Sequence, residues 1–448
     1  MMPARFWRSA RLFLDSRRQS KVPFYSAERL QRIGAERLRR MVRHAYASVP
    51  FYRRVMDQRG FAPDDFRSVS DLKRLPLIDK RTIQENPEQF QSTTVDPASC
   101  LILKSGKGTV TRWSADAALR GLAIAERERA VWRPLAGARA GCRQLQILAP
   151  GSSSMSVRSY WNERVVTPGW ISRKYYVDPF LPYEEIVDKL NLIRPHVVFS
   201  YGSYIEHFFR YLLDSGRSPH LPRVWYYGAD TLFREWRDLV EEKFGVKIYS
   251  NYAATETGRL GFECENRRGY HLNIDFVAVR LVDGGGNDVE DGQAGEVTVS
   301  CLGNFATVLL NYRLGDVGEM QPGGCSCGRR LPLLRELHGR VSQTIVLADG
   351  RAITSGAFLM QFKNELQSVL KAQAVSLGPG RLRWKVVPGR GIERSTFRTQ
   401  LLERCRTVFG ASVEADVEFV EDIAPAASGK FETLTRGGPE TGTTDGIS

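Results

Sequence analysis

Between residues 183 and 252 the apolar positions switch period repeatedly. Ile186 to Ile193, Ile205 to Leu213 and Leu232 to Phe244 carry apolar residues at helical spacing, while Val197-Val198-Phe199, Val224-Trp225-Tyr226 and Val246-Lys247-Ile248-Tyr249 are short strand-like runs between and after them. Short apolar strands alternating with amphipathic helices predict an α/β architecture, a parallel sheet flanked by helices, because the crossover between parallel strands needs a helix's length of chain. Ligands of such sheets sit beyond the carboxyl ends of the strands. Upstream, Leu38, Met41, Val42 and Ala45 predict a helix over 30–46 that Pro50 stops.

From His271 to Arg313 the period falls to two (Phe276, Ala278, Arg280, Val282; then Val297, Val299), broken by Asp283-Gly284-Gly285-Gly286-Asn287. This predicts an antiparallel subdomain. After Gly339 the chain shows a hairpin signal at Asp349-Gly350, a strand over Leu382 to Val387, a helix with Phe397, Leu401, Cys405 and Val408 on one face closed by Gly410, and a strand over Val413 to Val420. The expected division is a large domain over 1–338, a small α+β domain over 339–436 and a disordered tail over 437–448.

Composition adds little except sign. At 448 residues, 42% apolar and 25% charged, the chain is ordinary globular material and long enough for two domains. Its net charge of +14 suits polyanions such as ATP, CoA, nucleic acid or anionic lipid, without choosing among them. No apolar run reaches the roughly 20 residues of a membrane helix, and the start lacks a signal peptide's apolar core, so a cytoplasmic protein without a transmembrane segment is expected. The first 21 residues mix Arg5, Arg8, Arg11, Arg17 and Arg18 with Phe6, Trp7, Leu12, Phe13 and Leu14. They read as a helix packed on its own domain with a solvated basic face, ahead of a peripheral contact with a membrane surface.

Five short motifs carry candidate chemistry: Ser105-Gly106-Lys107-Gly108-Thr109, Tyr252-Ala253-Ala254-Thr255-Glu256, Tyr312-Arg313-Leu314-Gly315-Asp316, Gly339-Arg340 and Ala427-Ser428-Gly429-Lys430-Phe431. In that order they resemble the phosphate loop, metal-binding acid, ribose-binding acid, interdomain hinge and mobile lysine of the adenylate-forming superfamily. The stretch from Val49-Pro50-Phe51-Tyr52 to Leu72-Lys73-Arg74-Leu75-Pro76-Leu77 is similar to the phenylacetate-CoA ligase branch, which includes capsule-biosynthesis and secondary-metabolite relatives.

The resemblance implies a ligase that uses ATP and Mg2+ to form an acyl-adenylate from a small carboxylic acid and passes the acyl group to CoA. Alternatives are an amine acceptor, nucleotidyl transfer, or a non-catalytic nucleotide-binding protein with a degenerate phosphate loop; nucleic acid is not an expected partner, and a homodimer is. By resemblance, Lys430, Glu256 and Thr255 are catalytic, with Glu256 on Mg2+. Ser105, Gly106, Lys107, Gly108, Thr109, Gly228, Ala229, Asn251, Tyr252, Asp316 and Arg340 hold ATP. Tyr201, Ser203, Tyr204 and Tyr227, with Tyr226 nearby, are candidates for the acid pocket. A carboxylate at 316 suits a ribose because it accepts from two hydroxyls at once. A flexible ammonium at 430 suits charge developing at the α-phosphate.

Two departures stand out: the phosphate loop is a residue shorter than the family's and carries Lys107, and the aspartate usual after Gly-Arg is replaced near Gln343. Cys264, His271, Cys325 and Cys327 offer three thiolates and one imidazole around the antiparallel subdomain, at about 260–330, and predict a structural Zn2+ site. The competing reading is free thiols in a turn. Cys100, Cys142, Cys301 and Cys405 read as small buried residues.

Overall fold

The computed structural model describes all residues except 1, 106–107, 138–140, 166–171, 341–343, 347–351, 355–357, 359–360, 367, 379, 411–412, 427–428 and 438–448. The phosphate-loop tip at Gly106-Lys107, the hairpin tip at Asp349-Gly350, Gln343 and the tail beyond 437 therefore lie outside the described residues. The chain forms two compact units, one of Met1–Ile205, Pro219–Leu337 and Ala427–Gly429, the other of Glu206–Ser218, His338–Ala426 and Lys430–Ser448.

The strands are β1 (Leu101–Lys104), β2 (Val110–Trp113), β3 (Cys142–Ile147), β4 (Ser172–Val177), β5 (Val197–Tyr201), β6 (Val224–Gly228), β7 (Lys247–Ala254), β8 (Gly258–Glu263), β9 (Tyr270–Leu272), β10 (Val277–Val282), β11 (Ala294–Cys301), β12 (Tyr312–Gln321) and β13 (Leu333–Arg340). Apart from the β1–β2 hairpin they form one 11-stranded sheet in the order β10-β11-β12-β13-β9-β8-β7-β6-β5-β3-β4. The parallel region and the antiparallel subdomain are thus hydrogen-bonded into one sheet. Strands β3 to β7 pair in parallel, and β7 then pairs antiparallel with β8.

The helices are α1 (Met2–Gln19), α2 (Ala27–Ser48), α3 (Pro50–Arg59), α4 (Lys80–Glu85), α5 (Ala115–Leu135), α6 (Ser153–Asn162), α7 (Tyr183–Ile193), α8 (Gly202–Ser215) and α9 (Arg234–Phe244). Pro50 ends α2's pattern but also opens α3, where a proline at the first helical position costs no hydrogen bond. Leu38, Met41, Val42 and Ala45 of α2 pack with Tyr52 and Met56 of α3 against Val308, Leu309 and Leu310. The fully buried Tyr52 hydroxyl accepts from Leu310 N at 2.8 Å.

Helix α5 crosses the sheet with charge inside. Arg127 pairs with Asp275 at 3.1 Å, their side chains 1% and 2% exposed, and its guanidinium also donates to Asn273. Its neighbour Glu128 accepts from Asn273 Nδ2 at 3.2 Å and pairs with Arg259. Buried charges persist where every one is answered in this way.

The second unit holds β14 (Thr344–Val346) and β15 (Ala352–Thr354), which pair across the expected hairpin, then α10 (Lys363–Leu366) and α11 (Arg394–Phe409). With them is a sheet of β16 (Val369–Gly378), β17 (Arg381–Pro388), β18 (Glu414–Phe419) and β19 (Leu434–Arg436) in the order β18-β17-β16-β19. Helix α11 buries Phe397, Leu401, Cys405 and Phe409 beside Trp384, so Phe409 takes the place expected of Val408.

Candidate functional site

Strand β7 is longer than its apolar run. It continues to Ala254, which puts Asn251 and Tyr252 on the strand and Thr255 and Glu256 on the turn into β8, rather than on a loop that starts at Asn251. Two motifs 64 positions apart meet here: the Tyr252 hydroxyl donates to Asp316 Oδ2 at 2.8 Å, both residues being buried. Gly315, just before it in β12, has φ +77°, a conformation that glycine adopts without steric cost. At the turn, Thr255 Oγ1 lies 3.2 Å from Ser153 Oγ at the start of α6. The Glu256 carboxylate is half-buried and makes no hydrogen bond or ion pair with the described residues.

The end of β6 lies beside β7. A Cβ at Gly228 would come within 2.2 Å of Asn251 Oδ1, so only glycine lets the two strands carry these residues side by side. Ala229, next along, is exposed and has φ +77°. Such a conformation costs a non-glycine residue about 1–3 kcal/mol and concentrates at functional sites. Asp230 then turns back: its carboxylate accepts from the Gly202 backbone N–H and the Ser203 hydroxyl, tying the start of α8 to the end of β6.

The acid-pocket candidates divide. Tyr201 is buried and its hydroxyl accepts from Ala149 N at 3.2 Å, beside the loop before α6. Tyr204 meets Tyr183 edge-on at 5.9 Å, and burial raises its pKa and pushes that of Tyr227 up to about 12. Tyr226 stacks on Trp132 of α5 at 4.5 Å and belongs to the core.

Ser105 and Thr109 flank the tip of the β1–β2 hairpin, with Ser105 N donating to Thr109 O at 2.8 Å and Thr109 N to Ser105 Oγ at 3.1 Å. Thr109 Oγ1 is buried and unpartnered among the described residues. Arg340 ends β13; its side chain lies outside the described residues. In the second unit Lys430 is half-buried, on a turn that Ala426 N closes by donating to Lys430 O at 2.9 Å.

Cys264, His271, Cys325 and Cys327 come together, their ligand atoms all within 4.8 Å of one another. Cys264 Sγ lies 3.7 Å from Cys325 Sγ, and Cys327 Sγ 3.4 Å from His271 Nε2. A disulfide needs about 2.05 Å. The edges of a tetrahedron with metal–sulfur bonds of about 2.3 Å are about 3.8 Å, and about 3.6 Å from sulfur to nitrogen. Burial and the neighbouring Arg329 push the His271 pKa down to about 4, leaving the imidazole neutral as a ligand must be. The four residues therefore fit a tetrahedral metal. Of the other cysteines, Cys142, Cys301 and Cys405 are buried as expected, whereas Cys100 is only half-buried.

Several supporting residues had no signal in the sequence. Arg237 of α9 pairs with Glu263, which accepts from Ser250 N at 2.7 Å, while the Tyr270 hydroxyl donates to Ser250 Oγ at 2.9 Å. This network braces β7 from behind. Asp230 directly follows the candidates Gly228 and Ala229, but its role as a clamp depends on where α8 begins.

Comparison with known proteins agrees with this geometry. Residues 345–436 match the CapK C-terminal domain family. The phenylacetate-coenzyme A ligase of Thermus thermophilus is 26% identical over 353 residues, covering 73% of this chain and 74% of that protein. Its Escherichia coli counterpart is 25% identical over 339 residues, covering 72% and 74%. A 2-hydroxyisobutyryl-CoA ligase in the postadenylation state superposes with a TM-score of 0.74 at 18% identity over 92% of this chain and 91% of that one. A benzoate CoA ligase from Burkholderia xenovorans LB400 gives a TM-score of 0.51 at 16% identity over 76% of this chain and 69% of that one.

The fold is that of the adenylate-forming ligases. Within that class the chain is similar to phenylacetate-CoA ligases at 23–26% identity, and its residues 345–436 match the CapK C-terminal domain model. Among the described residues no helix is long and apolar enough to cross a membrane.

Proposed function

We propose that this protein activates a carboxylic acid with ATP and passes the acyl group to CoA. The observation that carries the reading is the Tyr252–Asp316 hydrogen bond, which joins β7, just ahead of the Thr255-Glu256 turn, to Gly315-Asp316 in β12. The acid's carboxylate attacks the α-phosphorus of ATP in line, forming the acyl phosphoanhydride and expelling pyrophosphate; the thiol of CoA then displaces AMP. Asp316, oriented by Tyr252, accepts from the ribose hydroxyls, and the exposed backbone at Ala229 offers a flat face to adenine. The Glu256 carboxylate, without a partner among the described residues, would hold Mg2+, which screens the phosphates when bound. The Lys430 ammonium stabilises charge between the attacking carboxylate and the α-phosphate.

Cys264, His271, Cys325 and Cys327 would hold a structural Zn2+, closed to substrate because all four positions are taken by protein. Activity is tested by acid-dependent exchange of labelled pyrophosphate into ATP over a panel of aromatic and aliphatic acids, with CoA and amines then supplied as acceptors. Exchange with at least one acid, followed by thioester formation, is expected. Exchange followed only by amide formation would move the acceptor to an amine. ATP binding without exchange for any acid would replace the ligase with a nucleotide-binding module.

A further inference from the structure

Helix α1 has three faces where a surface helix ordinarily has two. With 100° between successive residues, Leu12, Ser16, Gln19, Ser9 and Arg5 share one side, and there the helix is fixed to the body of its unit. Gln19 Oε1 accepts from Arg127 at 3.0 Å, Arg5 donates to Asn162 O at 2.9 Å, and Leu12 packs on the core that contains Ala117 and Leu119. Arg8, Arg11 and Arg18 form the second face, all exposed. The third, an arc of about 120°, is Phe6, Trp7, Ala10, Phe13 and Leu14 with Arg17.

That third face points to solvent. Phe6, Trp7, Phe13 and Leu14 are 68%, 70%, 56% and 56% exposed. With Phe24 they make five of the eleven exposed large apolar side chains among the described residues, all within the first 24 positions. Monomeric soluble proteins seldom present such a contiguous patch without a partner for it. The expected solvated basic face is therefore only half of what the helix shows.

We infer that α1 docks this protein on the surface of an anionic lipid bilayer, with Phe6, Trp7, Phe13 and Leu14 entering the headgroup region and Arg8, Arg17 and Arg18 on lipid phosphates, while Arg11 stays paired with Asp116 at 2.8 Å. The charge selects this occupant. The first 21 residues hold six cationic side chains (Arg5, Arg8, Arg11, Arg17, Arg18, Lys21) and one acid, Asp15, a local excess of five. A second copy seated on the same stripe would bring the two arginine faces together, whereas an anionic surface answers them. Tryptophan and phenylalanine on one side with arginines beside them are the residue types that settle at a bilayer interface. Because the buried side of α1 is held by hydrogen bonds to α5 and α6, docking needs no rearrangement of the helix.

The test is sedimentation of the full-length protein with vesicles of phosphatidylcholine alone or mixed with phosphatidylglycerol. Partitioning should be about tenfold or more stronger on the phosphatidylglycerol vesicles and should fall as salt rises. Replacing Phe6, Trp7, Phe13 and Leu14 together by serine should reduce it about tenfold or more, with an unchanged melting temperature because these side chains are exposed. Arg8→Gln with Arg18→Gln should remove most of the preference for anionic lipid. Equal binding to both vesicle types, or serine-variant binding equal to wild type, overturns the inference. So does a wild type that ignores vesicles but self-associates through the stripe, as read by light scattering against the serine variant.

Discussion

At the scale of single residues, the site rests on two kinds of side chain. Lys430 should contribute chiefly in the transition state, so Lys430→Ala is expected to lower pyrophosphate exchange about 100-fold or more while ATP affinity stays within a few-fold. Tyr252 acts through Asp316. Tyr252→Phe leaves a buried carboxylate oxygen without its donor and should raise the KM for ATP about tenfold with a smaller change in kcat, as steady-state kinetics can show. Lys430, Glu256, Asp316 and the Cys–His quartet stood out as candidates in the sequence because their chemistry permits few residue types at fixed spacing. The left-handed backbone of Ala229, a candidate by resemblance alone, and the clamp made by Asp230 did not. Nothing in the letter alanine announces a left-handed backbone, and an aspartate after a strand becomes a clamp only once Gly202 and Ser203 are brought opposite it.

At the scale of elements, the alternating strand and helix pattern over 183–252 gave the right order, and the errors came at the ends of strands. Residues 250–254 lack the apolar run that marks a buried strand, yet β7 continues through them because β8 supplies the pairing partner on one side. Tertiary pairing extended an element that periodicity had stopped. The metal quartet joins elements in the same way, linking the end of β8, the short β9 and the loop at 325–327. Protein purified without chelator should contain about one equivalent of zinc by elemental analysis. Cys325→Ser should lose the metal and melt at a distinctly lower temperature, while the exchange rate of the folded fraction changes far less, since a structural metal contributes folding free energy. Metal-free wild type of normal stability would refute the site.

On the scale of the whole molecule, the change of pattern near Gly339 was the basis for expecting a large part and a smaller lysine-bearing part, while the compact units also exchange Glu206–Ser218 and Ala427–Gly429. The continuity of the sheet was not readable, since periodicity reports whether a strand is covered on one face or two and says nothing of which strand lies at its edge. Inside the sheet's helical cover the Arg127–Asp275 pair is a sensitive point. Arg127→Met would leave Asp275 charged and buried with fewer partners, and should cost about 3–5 kcal/mol in denaturant unfolding, much more than removal of an exposed pair such as Arg43–Asp64.

Because β7 carries Tyr252, β8 ends just before Cys264 and β9 carries His271, the candidate nucleotide site and the candidate metal site share a ladder of hydrogen bonds. Laboratory chimeras between this protein and its relatives would inherit that ladder whole or lose it. Crossovers placed between 252 and 334 would join halves with mismatched registers, whereas crossovers upstream of β7 or beyond β13 would transmit both sites together as one heritable block.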